Sequence, residues 1–454
     1  MRDELRQLAD LLIETEFERQ VWLVGGAVRD ELLGLPSTSD VDLVTELDAL
    51  KLAQDVAEKA NCAPPDVYPR FGTAMVRLGS LNVEFVTARK ESYSLESRKP
   101  EVETASLTDD ALRRDFTVNS LMKNLHSGEL IDLTGMGLAD LKSRILRTPL
   151  EPEQTFFDDP LRMLRAVRFR WKLGFEYAPG LKSALSAQAE RLKSISWERI
   201  HDEFEKCILG PNPTGALNDL LEFRLLEQFA PELAAMKGVE QGKYHESDVW
   251  GHTMRVIENA ADADLVLRLS CLFHDIGKPP TRTIDTNGDI RFFSHESVGA
   301  DMAADILDRL KFGRPIVLRV KRLVKNHMRF GSAPKFSDSA ARRVIREMED
   351  DLDLLLKLVE ADASALKAGV RVFDLGEVKA TLARVRLATP AQRLASPLTG
   401  EEIMELLGAS PGPIIGEAQK HLLELVLDGA LIPDDKESAA ERLKVWAASG
   451  QQIS

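Results

Sequence analysis

Two acids one residue apart, Asp40 and Asp42, stand in the apolar run "DVDLV", shortly after the pair Gly25 and Gly26. On a strand, residues two apart project from the same face, so both carboxylates would point together. Acids this close repel one another unless a cation lies between them, and oxygen ligands on one face suit Mg²⁺ bound along with substrate phosphates. A Gly-Gly turn lets backbone amides approach a polyphosphate with no side chain in the way. Taken alone, the same stretch reads more readily as a polar turn entering a strand, since paired acids at this spacing are common.

Further segments carry related chemistry. "RRDFTVNS" packs Arg113, Arg114, Asp115 and Asn119 together. Two guanidiniums beside an acid and an amide suit triphosphate and ribose groups, and a salt-bridged surface turn is the alternative. In "DDPLRMLRAVRFRWKLGF", Leu161, Leu164, Val167 and Trp171 make a helical apolar stripe, while Arg162, Arg165 and Arg168 make a second stripe. Asp159 lies one turn before Arg162. A carboxylate beside a guanidinium offers acceptors and donors in one plane, as reading a nucleobase edge requires. An ion-paired amphipathic helix would share that pattern.

The second half holds all of the eight histidines except His126 and His201. His274 and Asp275 are adjacent at the end of an apolar helix, with His252 before them and His295, His327 and Asp362 after. Imidazole with carboxylate suits a divalent transition metal. Lys278, three residues past Asp275, is placed to meet a phosphate.

These residues need elements to hold them. A chain of 454 residues, 44% apolar and 29% charged, reads as a soluble globular protein of two to four domains. No apolar run is long enough to cross a bilayer, and the N-terminus reads as an amphipathic helix rather than a signal peptide. Cys62, Cys207 and Cys271 are far apart and form no CxxC pair, which points to a reducing cytoplasm. Net charge of −14 argues against general nucleic-acid affinity, though a local basic patch overrides the global sign. One such block runs from Lys311 to Arg346, with Asp338 its one acid. It reads either as a solvated helix face or as a phosphate-backbone surface.

To about residue 150, short apolar runs ("VWLVGG", "DVDLVT", "AMVRLG", "NVEFVTAR", "GELIDLTG") read as strands between helices. From Pro160 onward the periodicity is helical, with a hinge expected at 210–215. The expected organisation is a head over 1–150, a helical neck over 151–212 and a second helical body over 213–454.

In their order along residues 20–210, "GGAVRD", "DVDLV", "RRDFTVNS", "LIDLTGMGLADLKSRILR", "DDPLRMLRAVRF" and "WERIHDEFEKCI" resemble the motifs of bacterial-type CCA-adding tRNA nucleotidyltransferases. That family also includes bacterial poly(A) polymerases. The histidine pattern of the second half resembles the HD-domain phosphohydrolases. The resemblance implies an α/β (α+β) nucleotidyltransferase head with a mixed sheet, an all-α neck and an all-α HD body. It implies addition of CCA to tRNA 3′ ends from CTP and ATP. Asp40 and Asp42 would hold catalytic Mg²⁺, with Glu84 a third carboxylate. Gly25, Gly26 and Arg29 would contact the triphosphate, and Arg113, Arg114, Asp115 and Asn119 the sugar and phosphates. Asp159 and Arg162, with Arg165 and Arg168, would read the base, and Glu198, Arg199 and Glu203 would brace that helix. The family usually has Glu-Asp where this chain has Asp158-Asp159. The segment with Arg98, Lys99 and Pro100 resembles the flexible loop needed for the final A, which counts against a CC-only enzyme. His252, His274, Asp275 and Asp362 would bind a divalent metal, with His295 and His327 as further ligands or phosphate contacts. The expected partners are tRNA, CTP and ATP, with no membrane. A-only addition and poly(A) synthesis are the alternatives within the class, and an HD phosphohydrolase with an inactive RNA-binding head is the alternative outside it.

Overall fold

The computed structural model describes residues 3–36, 38–92, 101–242, 247–260, 263–330, 336–367 and 374–449. The loop carrying Arg98, Lys99 and Pro100 lies outside the described residues. The chain forms two compact units, Met1–Pro231 and Glu232–Ser454.

The first unit is built on a seven-stranded sheet. Its strands are β1 (Trp22–Val24), β2 (Asp40–Thr45), β3 (Asp66–Tyr68), β4 (Thr73–Leu78) and β5 (Leu81–Thr87), joined by β8 (Met122–Asn124) and β9 (Leu130–Ile131). A separate hairpin, β6 (Arg89–Ser92) with β7 (Glu101–Thr104), interrupts the series. The order is β3-β4-β5-β2-β1-β8-β9. Only the β2–β5 pair is parallel, so the sheet is mixed, as expected. All five runs expected as strands contribute. β3 and β8 lie outside the runs read as strands.

Alternation decides the faces. Val41, Leu43, Val83 and Phe85 are buried, and the helix Ala49–Lys59 packs Leu52, Ala53 and Val56 against this sheet. Asp48 caps that helix by accepting from the amides of Leu50 and Lys51. Asp40, Asp42 and Glu84 therefore share the opposite face.

The later helices of the unit include Pro152–Asp158, Leu161–Leu173 (the arginine helix), Leu181–Gln188, Trp197–Ile208 (the neck helix) and Pro213–Glu222. The last does not begin a new body. Gly215 lies so close to Trp171 that a Cβ there would meet the indole at 2.6 Å, and Asp219 accepts from Trp171 Nε1 and Tyr177 Oη at 2.8 and 2.7 Å. Residues 210–215 thus sit inside the first unit, and its compact boundary falls after Pro231.

Among the described residues, the second unit is helical apart from a hairpin, Arg282–Ile284 with Ile290–Phe292. Val249–Asn259, Leu265–Phe273, His295–Arg309, Arg314–Asn326 and Leu352–Ser364 pack on one another. About half of the basic block is ion-paired within the unit: Arg314 with Asp308, Arg319 and Arg322 with Asp351, Lys321 with Asp301, Arg329 with Glu347, and Arg343 with Glu424 and Asp428. That favours the ion-paired helix face over a bare phosphate-binding surface. Among the described residues, no helix is long and apolar enough to cross a membrane.

Candidate functional site

In the head, the parallel register sets Asp42 opposite Glu84 and Asp40 opposite Asn82. Asn82 Nδ2 donates to Asp40 Oδ1 at 2.9 Å, fixing one acid of the pair. Burial raises the pKa of Asp42, and Asp40 adds to the rise against the opposing pull of Arg114 and Arg165. Burial also raises Glu84, with Asp42 contributing. Three carboxylates thus crowd one face at an electrostatic cost that a divalent cation would relieve. Gly25 abuts them: a Cβ there would lie 3.2 Å from Asp42 Oδ2 and 3.8 Å from an Arg114 nitrogen, and its φ of +76° is one that side chains disfavour. The sharp turn therefore brings backbone beside the acids, and Gly26 opens the helix Gly26–Leu32 directly after it.

The arginines are held in a lattice of acids. Asp110, fully buried, accepts from both Arg113 and Arg114. Asp115 receives Arg165 Nε at 2.8 Å and Asn119 Nδ2 at 3.0 Å. Burial alone would push Asp115 up, but the Arg165 charge and these hydrogen bonds hold it down at about 2. Asn119 in turn accepts from Arg29, which also pairs with Asp30 and lies 4.9 Å from the Phe169 ring. Arg29 is buried, so its guanidinium joins the turn to the arginine helix rather than opening to solvent. Glu203 of the neck helix receives Arg168 at 2.6 Å and lies 3.7 Å from Arg165. Arg199 of the same helix holds Asp159 at 2.8 Å. Arg162 donates to the carbonyls of Arg113 and Thr155. The structure thus gathers Asp115, Asn119, Arg113, Arg162, Arg165 and Arg168 into one connected network, with Asp159 at its edge.

In the second unit the histidines converge. His252 Nε2 is 2.9 Å from Asp362 Oδ1, and His274 Nε2 is 3.1 Å from Asp275 Oδ2. His295 and His327 approach Asp275 from the side of Oδ1, at 3.4 and 3.8 Å. The Nδ1 atoms of His274, His295 and His327 meet the carbonyls of Cys271, Phe292 and Val324 at 2.7, 2.8 and 2.7 Å. A carbonyl only accepts, so each neutral ring carries its proton on Nδ1 and turns the Nε2 lone pair inward. Those three buried Nε2 atoms make no hydrogen bond. Orphaned buried polar atoms cost about 1–3 kcal/mol each, so the donor set fits a metal ion. Burial and the neighbouring His274 hold His327 down at about 4, leaving its lone pair free at neutral pH. Lys278 is 2.7 Å from Asp275 Oδ2 and donates to Gln241.

Comparison with known proteins follows the same division. The Poly A polymerase head domain matches residues 21–147, the "Probable RNA and SrmB- binding site of polymerase A" matches 174–237, and the HD domain matches 249–366. The A-adding tRNA nucleotidyltransferase of Deinococcus radiodurans is 36% identical over 417 residues, covering 88% of this chain and 90% of the relative. The chain belongs to the tRNA nucleotidyltransferase family. A second relative in the family, the CC-adding tRNA nucleotidyltransferase of Thermus thermophilus, is 34% identical across 93% of each chain. The CCA-adding enzyme of Bacillus stearothermophilus, solved in complex with CTP, shares the fold with a TM-score of 0.67 at 23% identity, covering 99% of this chain and 100% of that one. As a family member the chain is a nucleotidyltransferase, and families of both its modules use divalent metals.

Sequence reading missed two anchors. Asp110 was legible in principle, since it stands three and four residues before Arg113 and Arg114, the spacing of helical ion pairs. Gln241 carried no such signal, because its partner Lys278 is distant in the chain.

Proposed function

We propose that this tRNA nucleotidyltransferase completes the CCA end of tRNA from CTP and ATP without a nucleic-acid template, using Mg²⁺ at the head. The observation that carries this reading is the shared face of Asp40, Asp42 and Glu84 beside the Gly25 turn and Arg114. Oxygen ligands that stand with phosphate-binding groups suit Mg²⁺, which keeps part of its shell for substrate phosphates. The ions supply activation of the RNA 3′-hydroxyl and neutralisation of the departing pyrophosphate. Asp40 and Asp42 hold them, Gly25 and Gly26 leave room for the triphosphate, and Arg114 faces its charge. Arg113, Asp115 and Asn119 border the sugar and phosphates, and Arg29 fixes Asn119 from behind. Asp159 and Arg162 present an acceptor and donors to the base edge; Asp159 exchanges its Arg199 contact for the base. Arg165 and Arg168, tied to Asp115 and Glu203, set the orientation of that helix. The neck helix and its successors carry the RNA. The three cysteines are unpaired, which suits action in the cytoplasm.

A-only addition is the second reading, favoured by the near full-length similarity to an A-adding relative. One experiment separates them: tRNA ending before the CCA, after one C and after CC, each given labelled CTP, ATP or both with Mg²⁺. Full CCA addition extends the first by C, C and A. An A-only enzyme extends only the last, by one residue, and a poly(A) polymerase adds A repeatedly to any RNA. No incorporation on any of these would overturn the reading.

For the HD unit we propose metal-dependent hydrolysis of small phosphoesters, such as 2′,3′-cyclic phosphates or nucleotide phosphates. His252, His274, Asp275 and Asp362 would hold the metal, which would activate a water, and Lys278 would meet the phosphate. Phosphate release from 2′,3′-cyclic AMP with Mn²⁺, Co²⁺ or Ni²⁺ tests this. No release with any of the three would count against it.

A further inference from the structure

The sheet face that carries the three acids of the head does not end with them. Paired positions on neighbouring strands share a face, so the register extends each acid sideways into a row. Asp42 is opposite Glu84, Glu84 is opposite Met75, and Met75 is opposite Asp66 at the edge. The row beside it runs from Asp40 through Asn82 to Arg77. Tyr68, paired with Thr73, lies diagonal to Met75 on the same face. Ala74 and Val76 turn to the other face and are buried. Met75 and Tyr68, by contrast, are 40% and 49% exposed, and Arg77 is exposed as well. Directly after Tyr68, the turn Pro69–Phe71 adds an exposed Arg70 beside the exposed ring of Phe71. An apolar strip left in water one strand from the acids contributes nothing to the core, and guanidiniums flank it.

We propose that this strip seats the 3′-terminal nucleotides of the RNA, with the last base on Met75, the one before it on Tyr68, and the backbone phosphates on Arg77 and Arg70. Direction decides the occupant. Phosphoryl transfer runs in line, with the attacking oxygen and the leaving group on opposite sides of the phosphorus. The Gly25 turn and Arg114 put the departing pyrophosphate on the β1 side of Asp42. The attacking 3′-hydroxyl then enters from the other side, over Glu84 on β5. Beyond β5, the face belongs to β4 and β3. Neighbouring strands lie about 4.8 Å apart, so Met75 stands roughly 5 Å from Glu84 and roughly 10 Å from Asp42, within reach of a nucleotide whose 3′-oxygen is at the acids.

The chemistry of the strip suits that occupant. Every base has a π-face, so an apolar and aromatic seat flanked by cations holds single-stranded RNA without reading its sequence. The flexible, polarizable side chain of Met75 adapts to whichever base lies on it. Asp66 closes the far edge, where its charge turns the phosphate backbone toward the arginines.

The inference rests on nucleotidyl transfer at the head, and its first test reads contact rather than turnover. The full chain with Mg²⁺ and tRNA ending in CC, its last base replaced by photoreactive 5-iodocytosine, is irradiated, digested and mapped by mass spectrometry. The crosslink is expected within residues 66–78. A crosslink confined to other segments, or none at all, overturns the inference. Steady-state addition of A gives the second test. Met75→Ala, Tyr68→Ala and Arg77→Ala should each raise KM for tRNA about tenfold, the worth of one stacked base, with KM for ATP changed by less than about twofold. All three side chains are exposed, so the variants should fold, and circular dichroism checks that they do. An unchanged KM for tRNA in all three, or an equal rise in KM for ATP, overturns the inference as well. A crosslink at 66–78 in a protein that adds no nucleotide would sink the transfer reading and leave this one standing.

Discussion

The two candidate metal-ligand sets of this chain are built on opposite plans. In the head, Asp40, Asp42 and Glu84 are oxygen donors on an open sheet face, and burial with mutual repulsion raises Asp42 and Glu84. In the second unit, histidines with locked Nδ1 atoms converge on Asp275, which is held well below the carboxylate range against the cost of burial by His274 and Lys278. Among the described residues, the groups tight enough to clasp an ion without help both lie in the second unit. On the proposed reading, a head site that is incomplete until the substrate's phosphates arrive would tie its metal to nucleotide. The histidine set closes on itself without any substrate. The difference is one of preorganisation, and it follows from sheet against helix bundle: neighbouring strands align acids along a face, whereas converging helices point side chains at a common centre.

The sharpest way to break this contrast is to remove one acid. Asp40→Ala should lower nucleotide incorporation by about 10³-fold or more, since ion-based charge stabilisation is worth several kcal/mol. Manganese content of the second unit should not change; loss of both together would mean the two sites are not independent. Next in size is Gly25→Ala. A side chain at φ +76° strains the turn and its Cβ presses on Asp42, so incorporation should fall about 10²-fold, as for a misplacement near 1 Å. A rate within twofold of wild type would deny the turn its role.

The matching change in the second unit is Gly277→Ala. Its Cβ meets backbone, which cannot swing aside, so thermal unfolding should report a loss of about 1–3 kcal/mol. Divalent metal bound by the second unit should fall while nucleotide incorporation persists. The smallest effect is expected for Asp115→Asn. Asp115 sits at about 2 against an ordinary value of 3.8, so it stabilises the fold above pH 4 and that stability drains away as pH falls toward 2. The variant should lose about 2 kcal/mol at pH 7 by denaturant unfolding and approach the wild type in acid. Equal stability at pH 7 would remove Asp115 from the account of how Arg165 is held.

How far such features were legible depends on the range of the interaction. Asp40 and Asp42 could be read because a strand's alternation is local, and the arginine stripe because helical spacing is local. The histidines could be named as ligands from residue type alone. Their division into two groups could not, because it depends on which oxygen of Asp275 each ring approaches. Arg29 shows the opposite limit. Sequence places it beside the phosphate loop, but only the fold reveals that Asp30, Asn119 and Phe169 enclose it. The 210–215 hinge failed for a similar reason: Gly and Pro mark a turn, and whether the next helix departs or returns was decided by distant Trp171.

On the proposed reading, the half-buried acids of the head are kept for Mg²⁺ and nucleotide at the expense of the metal-free fold. The most direct measurement pairs labelled ATP addition to tRNA ending in CC with thermal unfolding of metal-free protein, for wild type and Asp42→Asn. A carboxylate whose pKa is raised in the fold binds protons more tightly there than in the unfolded chain, so above that pKa it destabilises. Wild type should add one A, and the variant should add none yet unfold at a higher temperature at pH 7. A variant that incorporates A at the wild-type rate, or unfolds at a lower temperature, would contradict the claim.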